Sequence, residues 1–219
     1  DLGFFGGMDD FDLAGELGEM DDQYLGSMLG QMDADEFTFF DGMDGFDLGG
    51  ELAEMDDQHM ASMMGNFDKD DLGFFGGMDD FDLAGELGEM DDQYLGSMLG
   101  QMDADEFTFF DGMDGFDLGG ELANMDDQHM ASMMGNFDQD DLGFFGGMDD
   151  FDLAGELAEM DDEHKTDMLG NMAGDDLAFL DDMEGFDIPD DWNSPPADMG
   201  GGDMGGDGLG GGDMGGDGM

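Results

Sequence analysis

The stretch Asp21-Asp22-Gln23-Tyr24-Leu25-Gly26-Ser27-Met28-Leu29-Gly30-Gln31-Met32 decides how the rest of the chain is read. Tyr24, Leu25, Met28, Leu29 and Met32 fall at i, i+1, i+4, i+5 and i+8, one stripe of an amphipathic helix that Asp21 or Asp22 can cap. Upstream, Leu13, Leu17 and Met20 form a second stripe at i, i+4 and i+7 behind Asp9-Asp10, with Asp12, Glu16 and Glu19 elsewhere on the surface. That pattern predicts a shorter helix. Downstream, the acidic, aromatic segment Met32–Asp44 reads as a loop into the next such unit. Gly15, Gly18, Gly26 and Gly30 lie inside the two helices, and each costs about 0.8–1 kcal/mol relative to alanine. Helices this weakened form only when something docks them, so folding is expected to be conditional.

Working outward, the unit recurs without a gap. Asp1–Asp35, Glu36–Asp70, Asp71–Asp105, Glu106–Asp140 and Asp141–Asp175 align end to end, and Asp176–Ile188 starts a sixth copy. The first and third blocks are identical, while the second and fourth differ only at Glu54/Asn124 and Lys69/Gln139. The alternation makes a pair of blocks the larger duplicated unit. The expected domain organisation is therefore residues 1–188 as five complete acidic repeats and a partial sixth. Pro189, Trp192, Pro195 and Pro196 mark a linker over 189–199, and 200–219 is a flexible Gly/Asp/Met tail of two ten-residue strings.

Composition narrows the class. The chain has 62 acidic residues against Lys69 and Lys165, no arginine and a formal charge of −60. Such a chain repels itself, and with 43 glycines it is expected to be disordered or expanded unless cations or basic partners neutralise it. Its apolar residues are mostly Met, Phe, Leu and Ala, with no valine and only Ile188 among isoleucines. β-Branched residues suit strands, whereas Met and Leu suit helices and adaptable faces, so the expected fold class is all-α. Without cysteine, neither a disulfide framework nor a redox compartment can be read. No apolar run approaches the roughly 20 residues of a membrane span, and no basic, apolar leader is visible; starting mid-repeat, the chain looks like a fragment or a processed product.

The loop Asp68-Lys69-Asp70-Asp71-Leu72-Gly73-Phe74-Phe75-Gly76-Gly77-Met78-Asp79 carries a resemblance. With Asp68 as position 1, acids stand at positions 1, 3 and 12, glycine at 6 and an apolar residue at 8, and apolar Phe67, Met64, Met63 and Met60 precede it. Met32, Leu29, Met28 and Leu25 do the same before Asp33, and Leu83, Ala84 and Leu87 follow Asp79. This resembles the EF-hand (calmodulin-like) helix-loop-helix family, whose loops hold calcium in six to eight oxygens. The resemblance implies tandem helix-loop-helix blocks paired as 70-residue units. It also implies weak calcium binding by Asp33, Asp35 and Asp44; Asp68, Asp70 and Asp79; Asp103, Asp105 and Asp114; Asp138, Asp140 and Asp149; and Asp175 with Glu184. Position 5 is Leu72 or Leu142 in one class of loop and Phe37 or Phe107 in the other, and position 12 is Asp in the complete loops, so the ligand set is short.

A second resemblance competes. Met8-Asp9-Asp10-Phe11-Asp12-Leu13 recurs at Met78–Leu83 and Met148–Leu153, with variants at Met43–Leu48, Met113–Leu118 and Met183–Ile188. Its core is similar to acidic transcriptional activation domains of the herpesviral type, in which acids keep apolar side chains solvated until they enter a coactivator groove. That reading implies partner contacts through Phe11 and Leu13, Phe46 and Leu48, Phe81 and Leu83, Phe116 and Leu118, and Phe151 and Leu153. A third class, a mineral-binding structural polymer with self-association, stays open.

Other classes recede. His59, His129 and His164 share one block position, filled elsewhere by Tyr24 and Tyr94, which suits a helix-face contact better than a transition-metal site. Carboxylates are too common here to mark acid-base catalysis, and no Ser–His motif is visible, so no enzyme is expected. Direct nucleic-acid binding is excluded by charge. The expected partners are divalent cations, or a protein that is basic or offers a hydrophobic groove.

Overall fold

With the block counted from the aspartate before its first helix, as 12–46, 47–81, 82–116, 117–151 and 152–186, each block folds as three short helices rather than two. The computed structural model describes residues 12–186 and 188. The first block supplies α1 (Leu13–Gly18), α2 (Asp22–Leu29) and α3 (Ala34–Asp41), and the second α4 (Leu48–Ala53), α5 (Asp57–Met64) and α6 (Lys69–Phe75). The third gives α7 (Leu83–Glu89), α8 (Asp92–Leu99) and α9 (Ala104–Asp111), and the fourth α10 (Leu118–Asn124), α11 (Asp127–Met134) and α12 (Gln139–Phe145). The last gives α13 (Leu153–Glu159), α14 (Asp162–Asn171) and α15 (Gly174–Asp181). There is no strand among the described residues, and no helix is long and apolar enough to cross a membrane. Phe11, the segment 189–199 and the tail 200–219 lie outside the described residues.

The charge explains why the helices are short. Every helix but α15 starts behind an aspartate, and most of those carboxylates accept a hydrogen bond from the first turn, as Asp12 does from the Gly15 N–H at 3.0 Å. An acid stabilises the positive end of a helix dipole and disfavours the negative end, and no described helix has a base in its last turn. Ending helices after about two turns and restarting them behind Asp multiplies the places where an acid helps.

Two expectations are corrected here. The segment Met32–Asp44, read as an EF-like loop, contains α3. Asp33 and Glu36 form a capping box, in which the Asp33 carboxylate accepts the Asp35 N–H at 3.1 Å and the Asp33 N–H donates to Glu36 Oε2 at 3.3 Å. Phe37 and Phe40, one turn apart, then bury themselves on the neighbouring blocks. The same device opens α6, α9 and α12.

The second correction concerns pairing. The middle helices α2, α5, α8, α11 and α14 pack each against the next, and so do the third helices α3, α6, α9, α12 and α15. Every internal block thus touches both neighbours in the same way, as in a solenoid, and one apolar core runs from Leu17 to Phe186. No face-to-face 70-residue lobe is present among the described residues. The alternation of blocks instead alternates volume across successive boundaries. Phe37 meets Phe67 and Phe75 at centroid distances of 5.3 and 4.6 Å, and the equivalent buried positions one block on are Leu72, Met102 and Phe110. Phe107, Phe137 and Phe145 then repeat the aromatic set.

Glycine inside the middle helices has a packing reason. A Cβ on Gly30 would meet the Met63 Cα at 3.3 Å, and one on Gly100 the Met133 Cα at 3.4 Å, so consecutive middle helices approach backbone to backbone. Gly100→Val is expected to cost about 1–3 kcal/mol through overpacking, read as a lower urea midpoint. An unchanged midpoint would show that the stack yields freely.

Candidate functional site: a neutral groove between acidic rims

The middle helices bury one face and leave another open. Leu25, Leu29, Leu95 and Leu99 face the core, while Gln23 and Ser27 of α2, with Gln31 just past its end, recur as Gln58, Ser62 and Asn66 at α5, Gln93, Ser97 and Gln101 at α8, and Gln128, Ser132 and Asn136 at α11, all exposed. Where α2 meets α5 and α8 meets α11, the helices come close at their glycines and these side chains line grooves. The groove between α2 and α5 has a volume of about 400 Å³, and that between α8 and α11 about 590 Å³. Neither contains an acid or a lysine in its lining, and the one ionisable side chain in each is a histidine, His59 in the first and His129 in the second. Between α11 and α14 a groove of about 420 Å³ ends this neutral row, since Asp167 stands there in the serine position.

The terminal amides of the row are held in a common pose. Gln31, Asn66, Gln101 and Asn136 each donate one side-chain N–H to the carbonyl of the serine four residues earlier, at 2.6, 2.6, 2.8 and 2.9 Å. One N–H and the amide oxygen of each are left for a ligand.

Acids stand at both ends of every middle helix. At the N-terminal end the carboxylate of Asp22 accepts the backbone N–H of Asp56 in the next block at 3.3 Å, and Asp57 does the same for Asp91 at 3.0 Å, Asp92 for Asp126 at 3.0 Å and Asp127 for Asp161 at 2.9 Å. These bonds stitch each block to the next, and they also line up like charges. Glu51, Glu86, Glu121 and Glu156 are all held above the ordinary glutamate range, first by burial and then by acids that include Asp22, Asp57, Asp92 and Asp127 of the preceding block.

Histidine joins this rim at three boundaries. Asp22, Asp56 and His59 bring one ligand atom each within 4.8 Å of one another, as do Asp92, Asp126 and His129, and Asp127, Asp161 and His164. His59 Nδ1 lies 2.9 Å from Asp56 Oδ1, and His164 Nδ1 3.2 Å from Asp161 Oδ1. All three Nδ1 atoms are shielded from solvent, yet none makes a well-directed hydrogen bond. The His59 backbone N–H, donated to the Asp56 carboxylate, is the main reason that carboxyl is held below its usual range. Two carboxylates and an imidazole offer oxygens to calcium and an additional nitrogen to a first-row divalent ion such as zinc.

The carboxylates assigned by the EF-hand resemblance are placed differently. Asp33 and Asp35, Asp68 and Asp70, Asp103 and Asp105, and Asp138 and Asp140 sit together at the N-termini of α3, α6, α9 and α12, where the first of each pair caps the helix. Asp44, Asp79, Asp114 and Asp149 lie beyond the far ends of those helices, about 10–12 Å of helix away. Asp175 is in the first turn of α15 and Glu184 follows its end. The structure does not bring positions 1, 3 and 12 to one point.

The residues assigned to a coactivator are core. Phe46, Leu48, Phe81, Leu83, Phe116, Leu118, Phe151 and Leu153 are all buried, and Leu13 is half-buried. The neutral row was absent from the sequence reading, although a signal exists. Residues 23–32, 58–67, 93–102 and 128–137 carry no acid or lysine in a chain where 62 of 219 residues are acids. Compared with protein-family models, curated proteins and solved structures, the chain matches none.

Proposed function

We propose that the protein is a non-enzymatic polyanionic repeat array that takes up divalent cations, calcium among them, at its block boundaries. The observation that carries this reading is the recurrence of opposed carboxylates, Asp22 with Asp56 and Glu51 in the first boundary and their equivalents onward, on a chain with a charge of −60. Carboxylates pressed together gain from any ion that neutralises them, and an ion bound only to the folded array stabilises it by mass action. The role of calcium assigned to EF-like loops is thereby moved to the joints between blocks.

Millimolar calcium is expected to raise the thermal midpoint, and to increase far-UV helical signal, by more than sodium chloride at matched ionic strength. If sodium does as well, the boundaries bind nothing and only screening remains. Asp92→Asn with Asp126→Asn is expected to diminish the calcium effect without abolishing it, since the other boundaries persist.

A further inference from the structure

The neutral row has a chemistry of its own. From what the groove offers, we infer that it is a docking track for an extended, lysine- or arginine-rich polypeptide segment, laid across the middle helices along the array. This inference does not rest on cation uptake at the boundaries, although His59 and His129 stand where groove and boundary meet.

Three observations fix the occupant. The floor holds no acid and no lysine, its one ionisable side chain in each groove being His59 or His129, so a main chain can lie on it without desolvating a carboxylate, and burying an unpaired charge is what makes most polyanionic surfaces poor seats for a backbone. The amides of Gln31, Asn66, Gln101 and Asn136 each keep a donor and an acceptor, the complement of one peptide group, and are fixed in place by their own helices before a ligand arrives. Both rims are acidic, with Asp56 and Asp57 before α5 and Asp68 and Asp70 beyond it as the pattern for each block. Side chains of an extended strand alternate in direction, so cations on a bound segment reach both rims in turn. Nucleic acid meets only repulsion there.

The geometry also sets a length. Helices in contact are about 8–10 Å apart, so the three gaps from α2 to α11 span about 24–30 Å, or roughly seven to nine extended residues. At the far end Asp167 and Glu163 replace the serine and glutamine of the row, placing acids where a terminal basic side chain would arrive.

The test is fluorescence anisotropy with a labelled peptide of alternating Lys and Ser, slightly longer than the track, and a counterpart with Gln for Lys. The full chain is expected to bind the Lys peptide and to bind the Gln peptide at least tenfold more weakly. A variant carrying Gln93→Ala, Gln101→Ala, Gln128→Ala and Asn136→Ala keeps the same net charge, and its substitutions are exposed and favour helix. It is expected to weaken the Lys peptide at least tenfold while calcium still raises its thermal midpoint as in the parent. Undiminished binding by the variant would show that the rims alone attract cations, and equal binding of the Gln peptide would remove the charge argument; either result overturns the track.

Discussion

Phe107→Ala is expected to lower the stability of the array by about 3–5 kcal/mol, at the top of the range for truncating a buried aromatic side chain. The ring is fully buried and lies 5.2 Å from Phe137, 4.7 Å from Phe145 and 5.8 Å from Phe144, centroid to centroid. Its removal leaves a cavity at the joint of α9 and α12, where the flanking side chains belong to two different blocks and cannot collapse without shifting one against the other. Each block is held only by its neighbours, so a weak joint in the middle divides the stack into two shorter ones. Urea unfolding followed by circular dichroism should therefore move to a lower midpoint and broaden. Phe109→Ala, at a half-buried ring on the same helix, serves as the control and is expected to cost clearly less. If the two variants unfold alike, the aromatic joint is not what couples the blocks.

The stripe Leu25, Met28, Leu29 gives α2 with its aspartate cap, Tyr24 of the same stripe being left exposed, and Leu13 and Leu17 give α1, because apolar spacing in a short helix survives in the sequence. The absence of valine, with Ile188 as the one isoleucine, likewise led to the right class. The third helix was hidden for a physical reason. Over Ala34–Asp41 only Phe37 and Phe40 are buried, so its periodicity is one turn long, and the capping box of Asp33 and Glu36 looks the same as a cluster of acids awaiting an ion. Carboxylates satisfied by backbone N–H groups and carboxylates open to a cation share one alphabet. The odd and even blocks misled in a similar way. A Phe/Leu exchange between neighbours can record either two partners of a lobe or two sizes filling successive boundaries of a stack, and only the contacts of α6 with both α3 and α9 decide between them. The groove was missed because its mark is a lack of charge, which a search for ligands passes over.

Acidification from about pH 7 to about pH 5 is expected to raise the thermal midpoint, against the usual course of acid denaturation. Glu51, Glu86, Glu121 and Glu156 are raised above the ordinary value of 4.5 by burial and then by neighbouring acids, and Asp71 and Asp141 are raised above 3.8 mainly by burial. A carboxyl whose folded pKa lies above its unfolded one holds its proton more tightly when folded. Its contribution is complete below the unfolded value and is lost as pH rises through the folded one. The four glutamates thus favour the fold as pH falls through the range above 4.5, and the two aspartates as it falls through the range above 3.8. Asp33, Asp56 and Asp161 are lowered instead, by carboxyl and backbone hydrogen bonds at exposed helix starts, and they work against the fold only as pH falls below about 3.8. The two sets therefore act in different ranges, the raised set above the ordinary carboxyl values and the lowered set below them. Salt separates its two causes. Molar sodium chloride screens the repulsion between Glu121 and Asp92 or Asp117 but leaves the burial of Glu121 unchanged, so the pH slope should shrink without vanishing. Glu121→Gln should raise the midpoint at neutral pH and reduce the slope, because an amide at that position has no charge to desolvate. A midpoint that stays level or falls between pH 7 and 5 would mean that the glutamates at the boundaries are relaxed in solution, and that the blocks do not press their acids together as the stack requires.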